Sequence, residues 1–255
     1  MFSCPQSMYS GLRSIVLTAF LSLSGLLLAQ QNDAETVQRG LYNGSTVDQK
    51  GYRNLSRVDQ LGKSNQSDVD QDGSHNDACV DQDGFYNIPN WGFYNEAAIA
   101  QEGHRNDGDI WQDGIHNQAR ATQTGNRNIS STDQDGNFNK AQTIQTGNRN
   151  FSYVEQNDFP PHAIPAILNR AYVNQNGSRN WQQTEQTGDF NKAETLQEGD
   201  DNWSRTDQEG FLHYSSITQT GNSNHAETWQ DGDRHISITT STGDGNYAYV
   251  QQENL

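Results

Sequence analysis

The stretch QDGNFNKAQTIQTGNRNFSYVEQ, residues 134–156, decides how the rest of the chain is read. Gln134, Gln145 and Gln156 stand 11 residues apart, and the first two are each followed by Gly two places on and Asn five places on. Beyond each Asn, at steps of two, come a small residue (Ala141, Ser152), then Thr143 or Val154, then the next Gln. Residues two apart share one face of a strand. One face therefore carries Asn139, Ala141, Thr143 and Gln145, and the mixed set Lys140, Gln142 and Ile144 lies on the other. Gly136 and Gly147 supply the unrestricted backbone of a turn. Each unit is predicted to be one strand followed by one turn.

The same phase extends over residues 38–251 as 20 units, two of them (82–89 and 156–163) only eight residues long. The third position is Gly in 18 units and the sixth is Asn in 17. The tenth is Val, Ile or Thr in every full unit but one, which has Ala121. Composition read without phase points to disorder: 31% hydrophobic residues, a formal charge of -16, and 27 Asn plus 27 Gln. A disordered low-complexity tract has no need of such spacing. The sequence therefore predicts an all-β chain, a β-solenoid of ten stacked two-strand coils with 22 residues each, amyloid-like and without helices. Stacked layers ~4.8 Å apart place each residue over its counterpart 22 positions on, so Asn and Gln form ladders of amide hydrogen bonds. The expected ladder residues include Gln49, Asn54, Gln71 and Asn76, then Gln134, Asn139, Gln145 and Asn150, then Gln186, Asn191, Gln197 and Asn202. Gly51, Gly73, Gly136, Gly147, Gly188 and Gly199 are the expected turn glycines.

Residues 15–28 form an apolar run preceded by Arg13 and followed by Ala29, too short to span a bilayer and suited to a secretory signal. The chain thus divides into a signal peptide (1–29), a short lead-in (30–37), the repeat solenoid (38–251) and a tail (252–255). Cys4 leaves with the signal, so no disulfide is expected in the processed chain. The two short units carry Pro89 and the pair Pro160 and Pro161, with Pro165 just beyond. Each lacks the residues that finish a strand, so a break or kink is expected there, dividing the solenoid into blocks 38–89, 90–163 and 164–251. Such breaks are read either as a hinge or stop to strand pairing, or as tolerated deletions.

Several residues outside the ladders invite a chemical reading. Asp48 and Asp70, like Asp59 and Asp81, are 22 apart and are expected to stack as like charges, either slowing assembly or holding a divalent cation. His213 and His235 replace the inward Asn, as a metal or pH-sensing pair or as plain substitutes in the ladder. Trp181 and Trp203 (22 apart), Tyr86, Phe93, Tyr94 and Trp111 face outward, to stack along the sheet or to bind surfaces. Sequons such as Asn54-Leu55-Ser56 point inward, against glycosylation. A strongly acidic chain is a poor partner for nucleic acid or an anionic membrane. No nucleophile motif, phosphate loop or zinc spacing stands out, so no enzyme activity, metal or cofactor is expected.

The unit at residues 134–145, and equally QTGDFNKAETLQ at residues 186–197, resembles the curlin repeat. Curlins are subunits of curli, extracellular functional amyloid fibres of Gram-negative bacteria that serve adhesion and the biofilm matrix. The resemblance covers the repeat region, although family members carry a polar targeting segment where this chain has only residues 30–37. It implies a secreted subunit, major or nucleating, that self-associates into a cell-surface fibre with other curlin-like subunits and leaves through a curli-type secretion pore. It also implies that the Gln, Gly and Asn positions carry stacking and nucleation. The alternative is a monomeric secreted solenoid whose outer face is an adhesive surface. A solenoid that binds ice or minerals would need a regular outward Thr or Asp array, whereas the regular Thr column, Thr132, Thr143, Thr184 and Thr195, is expected to face inward.

Overall fold

The computed structural model describes residues 31–83, 94–157 and 168–254. The segment expected to be a signal, Cys4, Tyr86, Phe93 and the prolines Pro89, Pro160, Pro161 and Pro165 lie outside these. All the elements are strands, numbered in chain order. One sheet of ten contains β1 (Asp33–Leu41), β3 (Leu55–Lys63), β5 (Asp77–Asp83), β7 (Asp107–Ile115), β9 (Ile129–Asn137), β11 (Phe151–Asn157), β13 (Trp181–Asp189), β15 (Trp203–Phe211), β17 (His225–Asp233) and β19 (Tyr247–Glu253). The other, of nine, contains β2 (Gly44–Tyr52), β4 (Gln66–Ser74), β6 (Glu96–His104), β8 (Gln118–Asn126), β10 (Lys140–Asn148), β12 (Arg170–Ser178), β14 (Lys192–Glu198), β16 (Tyr214–Thr220) and β18 (Ile236–Thr242). The chain alternates between the sheets, every pairing is parallel, and Gln pairs with Gln and Gly with Gly, as in Gln49↔Gln71 and Gly51↔Gly73.

The two sheets enclose the predicted inward residues. Asn54, Ser56, Val58 and Gln60 are all buried, as are Thr132, Thr143, Thr184 and Thr195. The interior changes along the axis. An aliphatic cluster of Val58, Val69, Val80, Ile99 and Ile110 fills the first coils. Further on the same positions hold Thr184, Thr195, Thr206 and Thr228, and hydroxyls meet across the interior, as between Thr228 and Ser237 at 3.3 Å.

Two expectations are corrected. The 8-residue units are not strands cut short. β4 pairs with β6 and β5 with β7 in unbroken register, with partners such as Gln71↔Gln101 now 30 residues apart. β10 with β12 and β11 with β13 behave alike. Counted by register, the connections between β5 and β6 and between β11 and β12 are each eight residues longer than the others. Among the described residues the stack has 19 strands, nine coils and one strand more, where ten coils were expected. A loop can lengthen without disturbing the ladders on either side, because its closure cost grows only slowly with length.

The second correction concerns the turn. Most strands run through the repeat glycine, though β14, β16 and β18 end just before Gly199, Gly221 and Gly243, and the corner residue is the fifth of the unit, held left-handed at Arg53 (φ 56°), His75 (φ 58°), Arg105 (φ 57°) and their equivalents. The glycines have φ between 96° and 128° along the stack, and their main constraint is packing. A Cβ on Gly147 would stand 1.9 Å from the carbonyl oxygen of Gly177 in the next layer.

Candidate functional site

Four amide ladders, one of Gln and one of Asn for each sheet, run along the stack. Gln71 is representative. Its Nε2 donates to Gln101 Oε1 in the next layer (2.8 Å) and to the Leu55 carbonyl of the opposite sheet (3.0 Å), while its Oε1 accepts from Gln49 (2.8 Å). Each Gln thus links layer to layer and sheet to sheet. Gln134, Gln145, Gln186 and Gln197 repeat the pattern. The bonds that cross the eight-residue additions, Gln82 to Gln112 and Gln156 to Gln186, are also 2.8 Å.

Asn closes the corner. Asn54 Nδ2 donates to the Lys50 carbonyl of its own turn (2.9 Å) and to Gly73 of the next layer (3.3 Å), while its Oδ1 accepts from the backbone N–H of Asn76 (3.1 Å). Asn76, Asn139, Asn150, Asn191 and Asn202 occupy the same station. A buried amide satisfied on every side holds one register, since a slip would strand its donors and acceptors in the interior. His213 and His235 serve as substitutes in this ladder. Their rings stack at 5.2 Å, His213 Nε2 lies 3.0 Å from the Glu209 carbonyl, and His213 Nδ1 accepts from His235 N–H at 3.2 Å. Burial pushes the His213 imidazole below its ordinary value.

The ladders stop at two open edges. Among the described residues, β1 and β2 are paired on one side only, and so are β18 and β19. The inward residues there, buried everywhere else, are uncovered: Thr36 and Gln38 are exposed and Val250 and Gln252 half-buried. The edges also differ in polarity. Gln38 donates into the stack through Nε2, leaving Oε1 facing outward, and Gln252 receives at Oε1 from Gln230.

The outer surface is organised in columns. On the ten-stranded sheet Phe151, Trp181, Trp203, His225 and Tyr247 stack in five successive layers, with Trp181 and Trp203 at 4.8 Å and 1°. Sequence reading found the two tryptophans and missed the rest of the column, for which the signal was the same register applied to all ring residues. Tyr94 heads a second column, stacking on His116 and, through it, Phe138. Trp111 instead stands between Asp81 and Asp133.

An acidic face precedes the aromatic one on the same sheet. Asp59 and Asp81 are paired as expected, and Asp48 pairs with Asp70 on the other sheet, with Lys50 3.1 Å from Asp48. Burial, reinforced by Asp83, Asp59 and Asp113, pushes the Asp81 carboxyl up to about 7. Burial likewise raises Asp109 to about 8, helped by Asp107 and Asp77, and Asp133 to about 6.

A column that sequence reading did not single out runs along one corner. Arg53, His75, Arg105, Arg127, Arg149 and Arg179 occupy the fifth position of six successive turns, all exposed. Their register is 22 residues except where an addition makes it 30. That irregularity, and the low overall basicity, hid it.

The family described as the curlin associated repeat matches residues 43–73 and 51–84. No curated protein matches the chain. The matched segment runs through β2, β3, β4 and β5, where the Gln and Asn ladders and stacked glycines have the geometry found again in the central coils. Residues 43–84 are thus similar to the curlin associated repeat, and they lie within a parallel β-solenoid built on Gln and Asn ladders.

Proposed function

We propose that this chain is a structural subunit of a secreted, curli-like amyloid fibre that lengthens by end-to-end stacking. The observation that carries the reading is the pair of uncovered ladder ends, outward Oε1 at Gln38 and the last rung at Gln252, on a stack whose inner Gln amides are otherwise bonded from layer to layer. Unpaired strand edges recruit further strands, and identical ladders make a second copy of the chain the best complement. The curlin repeat supports the same reading, and with it secretion to the cell surface and a part in adhesion and biofilm matrix, as major subunit or nucleator. An interior of saturated ladders suits structure rather than catalysis.

The test is polymerisation of purified protein, followed by thioflavin T and electron microscopy with and without seeds. Thr36 and Val250 are the first and last inward residues of one column, uncovered in the monomer and covered in a fibre. Thr36→Lys and Val250→Lys are expected to leave the β-solenoid folded while abolishing seeded elongation. A wild-type protein that stays monomeric and dye-negative would overturn the fibre reading in favour of a monomeric binding surface.

A further inference from the structure

The geometry points to the arginine column as a binding groove for a linear acidic polysaccharide, an inference that stands apart from fibre formation because the column lies within one molecule. Each residue of the column is fixed one layer above the last by a backbone bond: Arg105 N–H to the Ser74 carbonyl (3.0 Å), Arg127 to His104 (2.9 Å), Arg149 to Asn126 (2.9 Å) and Arg179 to Asn148 (2.9 Å). The guanidinium groups therefore rise along the stack at the strand spacing, ~4.8 Å. With His75 and the residues beside them, they line a groove of about 640 Å³.

The fold demands a left-handed residue at this corner, but it does not demand arginine. The opposite corner has the same backbone conformation and carries Tyr42, Ser64, His116, Phe138, Phe190 and Leu212, with a single arginine, Arg234, near its end. Arginines one layer apart repel one another, and a chain of charge -16 has carboxylates in plenty to neutralise them. Yet among the described residues Arg105, Arg127 and Arg149 have no ion pair. Arg179 shows what the column does with a carboxylate. The next residue of the column is Asp201, and Arg179 holds it with both Nε and Nη2 at 2.6 Å. Asp201 thus stands where a ligand carboxylate one layer along would stand, and the fork geometry is the one guanidinium groups use for carboxylates.

The neighbours of the column decide the class of polymer. Beside the central arginines are Asn126, Asn148 and Ser178, amides and a hydroxyl suited to sugar hydroxyls. A groove for single-stranded nucleic acid would interleave aromatic platforms for the bases. A broad anionic surface, whether duplex or membrane, would meet the acidic remainder of the molecule. An extended chain of acidic sugars brings one carboxylate per ring along a narrow path.

The test is titration calorimetry of the purified chain with an oligogalacturonate, its methyl-esterified form and an oligothymidylate of equal charge. Salt-sensitive binding of the acidic oligosaccharide alone is expected. The triple variant Arg105→Gln, Arg127→Gln, Arg149→Gln is expected to bind at least about tenfold more weakly. Arg39→Gln, Arg120→Gln, Arg170→Gln, with the same change in net charge on other exposed arginines, is expected to bind like wild type. Arg127→Lys, which keeps the charge but not the fork, is expected to lose affinity several-fold and serves if the triple variant fails to fold. Equal binding of the esterified form, equal loss in the control variant, unchanged affinity of Arg127→Lys or tighter binding of the oligothymidylate would each overturn the assignment.

Discussion

At Gly147 a side chain is excluded by the next layer of the stack rather than by the turn. Its φ of 114° already disfavours any other residue, and a Cβ would stand 1.9 Å from the Gly177 carbonyl oxygen, which belongs to backbone that cannot swing aside. Gly147→Ala is expected to destabilise the fold by about 3 kcal/mol or more, read as a lowered denaturation midpoint. A small shift would mean that neighbouring coils can separate locally. Thr132 gives the opposite sign. It is buried between Ile110 and Val154, and its hydroxyl has no hydrogen-bond partner. Thr132→Val removes an unsatisfied polar group, so a gain of about 1 kcal/mol is expected from chemical denaturation. Inward positions such as these were legible in the sequence because burial restricts the residue type at a period of two. The left-handed corner was not, because Arg105, His116 and Phe138 adopt it alike and mark it by position only.

At the scale of an element, sequence spacing located both irregular turns but misjudged which part of the repeat they altered. Counting from Asn90 gives a unit with Gly92 and Asn95 in phase, and so leaves 82–89 as a fragment. Strand pairing shows instead that Gln82 and Asn95 belong to one turn, because β5 leads to β6 and both stay in register with their neighbours. The sequence supplies a reason for the ambiguity: Gly-Phe-Tyr-Asn occurs twice, at 84–87 and at 92–95, and either copy satisfies the pattern. Deleting residues 85–92 joins Gln82-Asp83-Gly84 to Phe93-Tyr94-Asn95 and rebuilds a standard turn. The shortened protein is expected to keep its β-sheet circular dichroism and a denaturation midpoint no lower than that of the full chain, since loop closure favours the shorter connection slightly. Loss of the folded signal would show that the added residues hold the two halves of the stack together.

For the molecule as a whole, charge is distributed by column, and its sum conceals that. The net value of -16 correctly marks the acidic face but says nothing of the arginine corner. The acidic face has a consequence for pH. In Asp81, Asp109 and Asp133 burial lifts the folded-state carboxyls to about 7, 8 and 6, from an ordinary value of 3.8. The folded chain therefore binds more protons than the unfolded chain across that interval, and stability falls as pH rises. Their stabilising contribution is present in full below the ordinary carboxyl value and is lost as pH climbs through the range from 6 to 8. Denaturation midpoints are expected to increase steadily from pH 8 to pH 5. Assembly is expected to quicken over the same interval, as repulsion between stacked carboxylates declines towards the sequence pI of about 4.6. The double variant Asp81→Asn, Asp109→Asn imitates the protonated pair, and should be more stable than wild type at pH 8 and less sensitive to pH. A midpoint that is flat or falls on acidification, or a double variant with the full wild-type slope, would show that these carboxyls are better solvated than their packing implies.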